Sequence, residues 1–82
     1  MNQNLELFYF PSCPYCQFVL KAINELGLNI SMRDIMKDKS ALEFHVKKTG
    51  RRTVPCLYID GEPLFESQDI VTWLKKNYRD LT

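Results

Sequence analysis

Two cysteines, Cys13 and Cys16, are separated by two residues, and this pair points more directly to chemistry than any other feature of the chain. It follows an apolar run at residues 5–10 and precedes a helical pattern that begins at Pro14. A cysteine at a helix start faces unpaired backbone N–H groups and the positive end of the helix dipole, which favour a thiolate. Since the thiolate is the species that attacks disulfides, the motif predicts Cys13 as a nucleophile. Cys16, one turn into the helix, is predicted to be the thiol that resolves the mixed disulfide.

The same spacing is also found in half of a zinc site, so a metal centre is the first alternative. Tetrahedral zinc takes four ligands, and outside the pair only Cys56 and His45 remain, neither with ligand spacing to a partner. Redox chemistry without a metal is therefore the preferred interpretation. Cys56 is interpreted as a small buried strand residue. His45 is expected at the surface or boundary of the second helix, with no role as a base.

Composition predicts one small domain spanning residues 1–82. With 11 basic and 10 acidic residues the formal net charge is +1, and basic residues adjoin at most in pairs, so nucleic-acid binding is not expected. No run approaches the roughly 20 apolar residues of a membrane span. Residues 1–4 are polar and lack the basic flank of a signal peptide. Three cysteines, two of them closely spaced, fit a reducing compartment, so we expect a cytoplasmic protein. We also expect a monomer.

Periodicity predicts the elements that hold the cysteine pair. Residues 5–10 form a buried strand, a helix runs from Pro14 until Gly27 ends it, and residues 28–35 form a second strand. Ser40 with Glu43 resembles a capping box for a second helix, which Gly50 ends. The inner face of that helix is predicted to carry Leu42, Val46 and Thr49.

The last third of the chain predicts a hairpin and a helix. Residues 53–59 form a strand, Asp60-Gly61 is a strong hairpin turn, and residues 62–65 return. Ser67 is predicted to cap the final helix. The order is β-α-β-α-β-β-α, which predicts an α/β fold with a four-stranded mixed sheet and three helices covering both faces. The first two strands should be parallel, joined by a right-handed crossover. This is the architecture of the thioredoxin fold.

Three segments together resemble the dithiol glutaredoxins. Cys13-Pro14-Tyr15-Cys16 is similar to their active site, and the run from Thr49 to Pro55 is similar to their Thr-Val-Pro segment. The segment from Gly61 onward, through Ser67, Asp69 and Ile70, is similar to their third landmark. The match covers essentially the whole chain. It implies a glutaredoxin-like fold and a glutathione-dependent reductase of protein disulfides and glutathione mixed disulfides.

The resemblance also implies where glutathione binds. Tyr15 would flank its sulfur, and the backbone of Val54, before a cis Pro55, would pair with its cysteine. Arg51 would lie near the glycine carboxylate, and Ser67 and Gln68 near the γ-glutamyl end, where a helix N-terminus suits a carboxylate. The candidate catalytic residues are therefore Cys13 and Cys16, and the candidate glutathione-binding residues are Tyr15, Arg51, Thr53, Val54, Pro55, Glu66, Ser67 and Gln68.

Two positions depart from the glutaredoxin pattern. Many members carry a lysine three residues before the first cysteine, where this chain has Phe10, and many carry Gly-Gly where it has Phe65-Glu66. The run from Phe65 to Ile70 looks more like the Glu-Ser pair of the glutathione transferase N-terminal domain, which holds the γ-glutamyl group. Both resemblances imply glutathione as co-substrate and no metal.

Two alternative functions remain open. An iron–sulfur carrier would hold a cluster through Cys13 of two chains and two glutathiones, but Pro14 and Cys16 argue against it. A redoxin reduced by thioredoxin reductase would keep the enzyme class and change the electron donor. In the preferred interpretation, the partners are glutathione and disulfide-containing or glutathionylated proteins.

Overall fold

A computed structural model describes residues 4–81 of the protein, with side chains up to Arg79. Residues 1–3, part of the polar segment considered above, and residue 82 lie outside the described residues. The elements are β1 (Leu5–Tyr9), α1 (Pro14–Glu25), β2 (Ser31–Asp34), α2 (Lys39–Thr49), β3 (Cys56–Ile59), β4 (Glu62–Leu64) and α3 (Ser67–Leu81). Within this range no helix has both the length and the apolar character needed to cross a membrane.

The four strands form one mixed sheet in the order β2-β1-β3-β4. β1 pairs with β2 in parallel, as expected for two strands joined by a helix, and with β3 in antiparallel. β3 and β4 are joined by Asp60 and Gly61, whose φ angles of 51° and 89° are both positive. Positive φ at both central positions is the requirement of a tight hairpin turn. The predicted thioredoxin fold is therefore confirmed.

Alternating strand residues divide the core between the two faces of the sheet. One face packs against α1 and α3, and its buried residues include Leu5, Leu7, Leu57, Val19, Ile23, Ile70 and Leu74. The other face packs against α2, and its buried residues are Phe8, Ile35, Ala41, Cys56 and Tyr58. The two layers hold the start of α1, the segment before β3 and the start of α3 at one end of the sheet.

The strands are shorter than the sequence predicted. Residues after α1 complete the helix end first, since Gly27 donates to the Asn24 carbonyl and Leu28 to the Ile23 carbonyl. β2 therefore starts at Ser31 instead of residue 28. β3 starts after Pro55, which has no N–H to donate to a neighbouring strand.

The N-cap prediction for α2 was wrong, and its predicted inner face was incomplete, since of the three residues Leu42 packs against the core cluster. Its N-cap is Asp38, whose carboxylate accepts the Ala41 N–H at 3.2 Å, while Ser40 only donates its hydroxyl to that carboxylate at 2.6 Å. A carboxylate one step before the helix reaches the free N–H groups better than a hydroxyl already inside it. The buried face carries Ala41 and His45, whereas Leu42, Val46 and Thr49 are half-buried at its edges.

Candidate active site

Cys13 is the N-cap residue of α1, as the sequence predicted. Its backbone is extended (φ −82°, ψ 118°), and Pro14 takes the first helical position. Its sulfur accepts the Cys16 backbone N–H at 3.3 Å, and its own N–H donates to the Phe10 carbonyl at 3.1 Å. The sulfur therefore lies where unpaired N–H groups and the helix dipole stabilise negative charge.

Cys16 lies inside the core, with its side chain fully buried. Burial raises the pKa of the Cys16 thiol to about 12, and its hydrogen bond with Cys13 adds to the rise. Cys13 is also buried, at 6% exposed, so the two cysteines differ mainly in position, one capping α1 and the other inside it. Cys16 stays a protonated thiol at neutral pH, as expected of a resolving thiol that reacts only after a mixed disulfide has formed.

The segment before β3 faces the cysteine pair. The peptide bond between Val54 and Pro55 is cis, as the resemblance implied. The thiol of Cys13 donates toward the Val54 carbonyl oxygen at 4.0 Å. Pro55 is buried, Val54 is half-buried and Thr53 is exposed, so the segment emerges from the core beside Cys13.

Six of the eight predicted glutathione residues line one cavity. Its volume is about 310 Å³, and it is lined by Tyr15, Thr53, Val54, Pro55, Glu66 and Ser67. Three separate parts of the chain, at 15, 53–55 and 66–67, thus meet at one place on the protein. Tyr15 is 68% exposed and forms an open rim for an incoming ligand.

A larger cleft of about 640 Å³ adjoins this cavity and shares Tyr15, Glu66 and Ser67 with it. Its other lining residues are Pro14, Phe18, Gln68 and Asp69. Gln68 therefore belongs to the site through this second cleft. Together, the two spaces form a groove that runs from the segment before β3 to the start of α3.

The start of α3 differs from the prediction in one detail. Ser67 is the first helical residue and not the cap; the Glu66 carbonyl accepts the Ile70 N–H at 3.0 Å. Glu66 has a left-handed backbone, with φ +71°. The first N–H groups of a helix have no partner within it, so the N-terminus of α3, which lines the groove, is suited to an anionic group.

Arg51 lies outside both lining sets. Its guanidinium carbon is 4.9 Å from the centre of the Phe65 ring, a cation–π contact, and its backbone N–H donates to the Thr49 hydroxyl at 3.1 Å. The side chain is held beside the residue that precedes Glu66. It stands next to the groove, and a contact with a bound ligand stays a prediction.

The sequence reasoning placed His45 wrongly. The residue is fully buried, with Nε2 2.7 Å from the Thr53 carbonyl oxygen and Nδ1 2.7 Å from the Tyr58 hydroxyl. One sequence feature could have indicated that His45 is buried. It follows Ala41 by four residues, so both lie on the same face of α2. Cys56 is buried as predicted, and burial raises the pKa of its thiol to about 12. Among the residues with described side chains, no three or more His, Cys, Asp or Glu form a group that could hold a metal ion.

The chain is similar in sequence to two groups of known proteins, the glutathione S-transferases and the glutaredoxins. The family model described as glutathione S-transferase, N-terminal domain, matches residues 7–81. Glutaredoxin 3 of Escherichia coli (strain K12) is 27% identical over 67 residues, covering 82% of this chain and 81% of that protein. The match confirms the predicted resemblance to glutaredoxins.

Solved structures that resemble this chain include members of both groups. Unclassified glutathione S-transferase 2 of Bombyx mori has a TM-score of 0.79 and 27% identity, covering 92% of this chain and 36% of that one. Wheat glutaredoxin has a TM-score of 0.67 and 25% identity, covering 89% of this chain and 71% of that one. The chain thus spans about a third of such transferases and most of the glutaredoxins. With the family match covering nearly all of its length, the chain belongs to the glutathione S-transferase N-terminal domain family, whose fold it shares with the glutaredoxins.

Proposed function

We propose that this protein is a glutathione-dependent thiol–disulfide oxidoreductase, with Cys13 as nucleophile and Cys16 as resolving thiol. The observation that carries the proposal is the position of the Cys13 sulfur, which caps α1 and lies beside the Val54 carbonyl. The helix start directs backbone N–H groups and the positive end of its dipole at this sulfur. Similarity to the glutaredoxins of Escherichia coli and wheat supports the same chemistry.

With a glutathione mixed disulfide, one thiol suffices. The Cys13 thiolate attacks the glutathione sulfur, an S–S bond forms as the old one breaks, and the substrate sulfur leaves as a thiolate that takes a proton from water. A free glutathione thiolate then attacks the glutathione sulfur on Cys13. Glutathione disulfide leaves and Cys13 is restored, so the mixed disulfide is reduced to one substrate thiol and one glutathione disulfide is produced.

With a protein disulfide, the second thiol is needed. Cys13 attacks and becomes joined to the substrate, which keeps its other sulfur as a thiol. Cys16, after losing its proton, attacks the Cys13 sulfur and releases the second substrate thiol. Two glutathiones then reduce the Cys13–Cys16 disulfide and leave as glutathione disulfide.

The groove offers glutathione a partner for each of its groups. The backbone of Val54 pairs with the central cysteine residue as a short added strand. The N-terminus of α3 at Ser67 and Gln68 receives the γ-glutamyl carboxylate, and Glu66 receives the amine. Tyr15 flanks the sulfur, and Arg51 reaches the glycine carboxylate from beside Phe65. Protein partners are disulfide-containing or glutathionylated proteins of a reducing compartment such as the cytoplasm, with residues 1–82 acting as one monomeric domain.

Glutathione transfer to an electrophile is the second candidate, favoured by the family match over residues 7–81. In this reaction the groove would hold the glutathione thiolate, and Cys13 would form no covalent intermediate. A second thiol at Cys16 has no use in it, which is why reduction is the preferred function.

A set of coupled assays tests the proposal. The protein is mixed with a glutathionylated peptide, glutathione, glutathione reductase and NADPH, and NADPH loss is followed. We expect turnover that disappears in Cys13→Ser and does not occur when thioredoxin reductase replaces glutathione and its reductase. Conjugation of chlorodinitrobenzene without turnover of the peptide would establish the transferase instead. A visible absorption band from the freshly purified protein would indicate the iron–sulfur carrier.

Binding is tested on the Cys16→Ser variant by titration with glutathione disulfide. We expect amide shifts at Val54, Ser67 and Gln68. A response confined to a distant surface would contradict the assigned groove.

A further inference from the structure

His45 joins α2 to the segment that precedes β3 through two short hydrogen bonds. Its Nε2 lies 2.7 Å from the Thr53 carbonyl oxygen, and its Nδ1 lies 2.7 Å from the Tyr58 hydroxyl. The imidazole is fully buried, with the rings of Phe8 and Phe65 5.6 and 5.8 Å from its centre. A polar side chain in this position is expected to be there for its hydrogen bonds.

The partners determine which nitrogen carries the proton. A carbonyl oxygen only accepts, so Nε2 must donate its N–H to Thr53. In the neutral ring Nδ1 then accepts, and the Tyr58 hydroxyl donates to it. Burial raises the pKa of the Tyr58 phenol, so that proton is retained. Tyr58 orients the ring, and the ring holds Thr53.

Holding the Thr53 carbonyl also orients Val54. The Thr53 carbonyl and the Val54 N–H belong to one trans peptide unit, in which the two groups point in opposite directions. With the carbonyl directed at the buried imidazole, the Val54 N–H is directed away from it. On the next peptide unit, the Val54 carbonyl lies beside the Cys13 thiol. The imidazole therefore fixes the backbone edge that lines the 310 Å³ cavity.

We propose that His45 is a positioning residue, which holds the Val54 backbone edge in the orientation that binds glutathione. The proposal rests on the proposed function, because it assigns that edge to glutathione. His45 is not a catalytic residue: both ring nitrogens are engaged and the side chain has no exposed surface. Because His45 orders residues 53–54 before binding, these residues lose less conformational entropy when glutathione binds.

Two substitutions separate the hydrogen bond from the packing. His45→Met fills the buried space and offers no donor, whereas His45→Gln places an amide N–H close to the position of Nε2. We expect His45→Met to raise the KM for glutathione roughly 3- to 10-fold, the effect of one hydrogen bond. The kcat and the rate of Cys13 alkylation by iodoacetamide should stay within twofold. His45→Gln should restore most of the KM.

Ile35→Val is the matched control for core packing. Ile35 is buried in the same cluster as Tyr58 and is not part of the groove. This variant should unfold at a lower temperature with an unchanged KM. If Ile35→Val raises the KM as much as His45→Met, or if His45→Met leaves it unchanged, the positioning role is wrong.

A measurement on the wild-type protein tests the proposal without relying on activity or on the folding of a variant. Imidazole nitrogen NMR should show a proton on Nε2 of His45 that exchanges slowly with solvent. An unprotonated Nε2 would overturn the inference. The wild-type protein could show the protonated Nε2 and still lack glutathione-dependent turnover. In that case the proposed function fails, and the hydrogen bond from His45 to the Thr53 carbonyl is still established. If turnover is present and the KM ignores His45→Met, the proposed function stands and the inference fails.

Discussion

The Cys13 thiol lies 4.0 Å from the carbonyl oxygen of Val54, a residue 41 positions further along the chain. This contact joins the start of α1 to the segment before β3. It places the proposed nucleophile next to the backbone edge of the proposed glutathione site.

Substitution of the two cysteines should separate the two reduction routes. Cys13→Ser should abolish reduction of both glutathione mixed disulfides and protein disulfides, since no other thiol caps the helix. Cys16→Ser should retain the mixed-disulfide activity within a few-fold and impair reduction of protein disulfides. Assays on both substrates, with circular dichroism to confirm folding, check this. Loss of both activities in Cys16→Ser, together with full activity in Cys13→Ser, would reverse the roles.

Alkylation should distinguish the two thiols directly. At pH 7 to 9, iodoacetamide should modify Cys13 and leave Cys16 unmodified, because burial raises the pKa of Cys16 to about 12. In Cys13→Ser the hydrogen bond that adds to this rise is lost, but burial, the larger cause, remains. Peptide mass spectrometry of the native protein measures both sites, and a urea-unfolded sample is the control in which all three cysteines react. Equal labelling of Cys13 and Cys16 in the native protein would contradict the assigned environments.

Two substitutions of Glu66 separate the effect of its side-chain charge on glutathione binding from the effect of its left-handed backbone on stability. Glu66→Gln keeps the size and φ of the residue and removes its charge, so the KM for glutathione should rise roughly 2- to 10-fold. Glu66→Gly removes the same charge and relieves the left-handed backbone at φ +71°, so it should stabilise the fold by up to about 1 kcal/mol. Turnover kinetics and urea unfolding of both variants measure the two effects. An unchanged KM in both would remove Glu66 from the glutathione site.

Stability should fall steeply at alkaline pH. Burial raises the pKa values of Cys16 and Cys56 from 9.0 to about 12. Above pH 9 the unfolded chain releases thiol protons that the folded chain keeps, so stability decreases by about 1.4 kcal/mol per pH unit for each thiol. Urea unfolding at pH 9, 10 and 11 under reducing conditions measures this slope. Cys56→Ala should reduce the slope by about half of the thiol contribution, and an identical slope would show that Cys56 does not retain its proton.

The second helix illustrates where sequence reasoning was sufficient and where it was not. Its existence and its end at Gly50 followed from local pattern and from glycine's tolerance of φ +73°. Its buried face did not, since Leu42 and Val46 are more apolar than His45. Burying His45 is favourable only because Tyr58 and Thr53 satisfy both ring nitrogens.

The cysteine pair and the order of elements could be predicted from the sequence, because each depends on local features: a cysteine before a helix, apolar periodicity, an Asp-Gly turn. The three segments of the groove were indicated by the resemblance to glutaredoxins and to the glutathione transferase N-terminal domain. The folded arrangement of the chain was needed to show that residues 15, 53–55 and 66–67 share one cavity. It also decided that Arg51 stacks on Phe65 and that His45 holds Thr53. These contacts join residues that are distant in sequence or on different elements, and their free energy depends on burial and partner geometry, which no local pattern records.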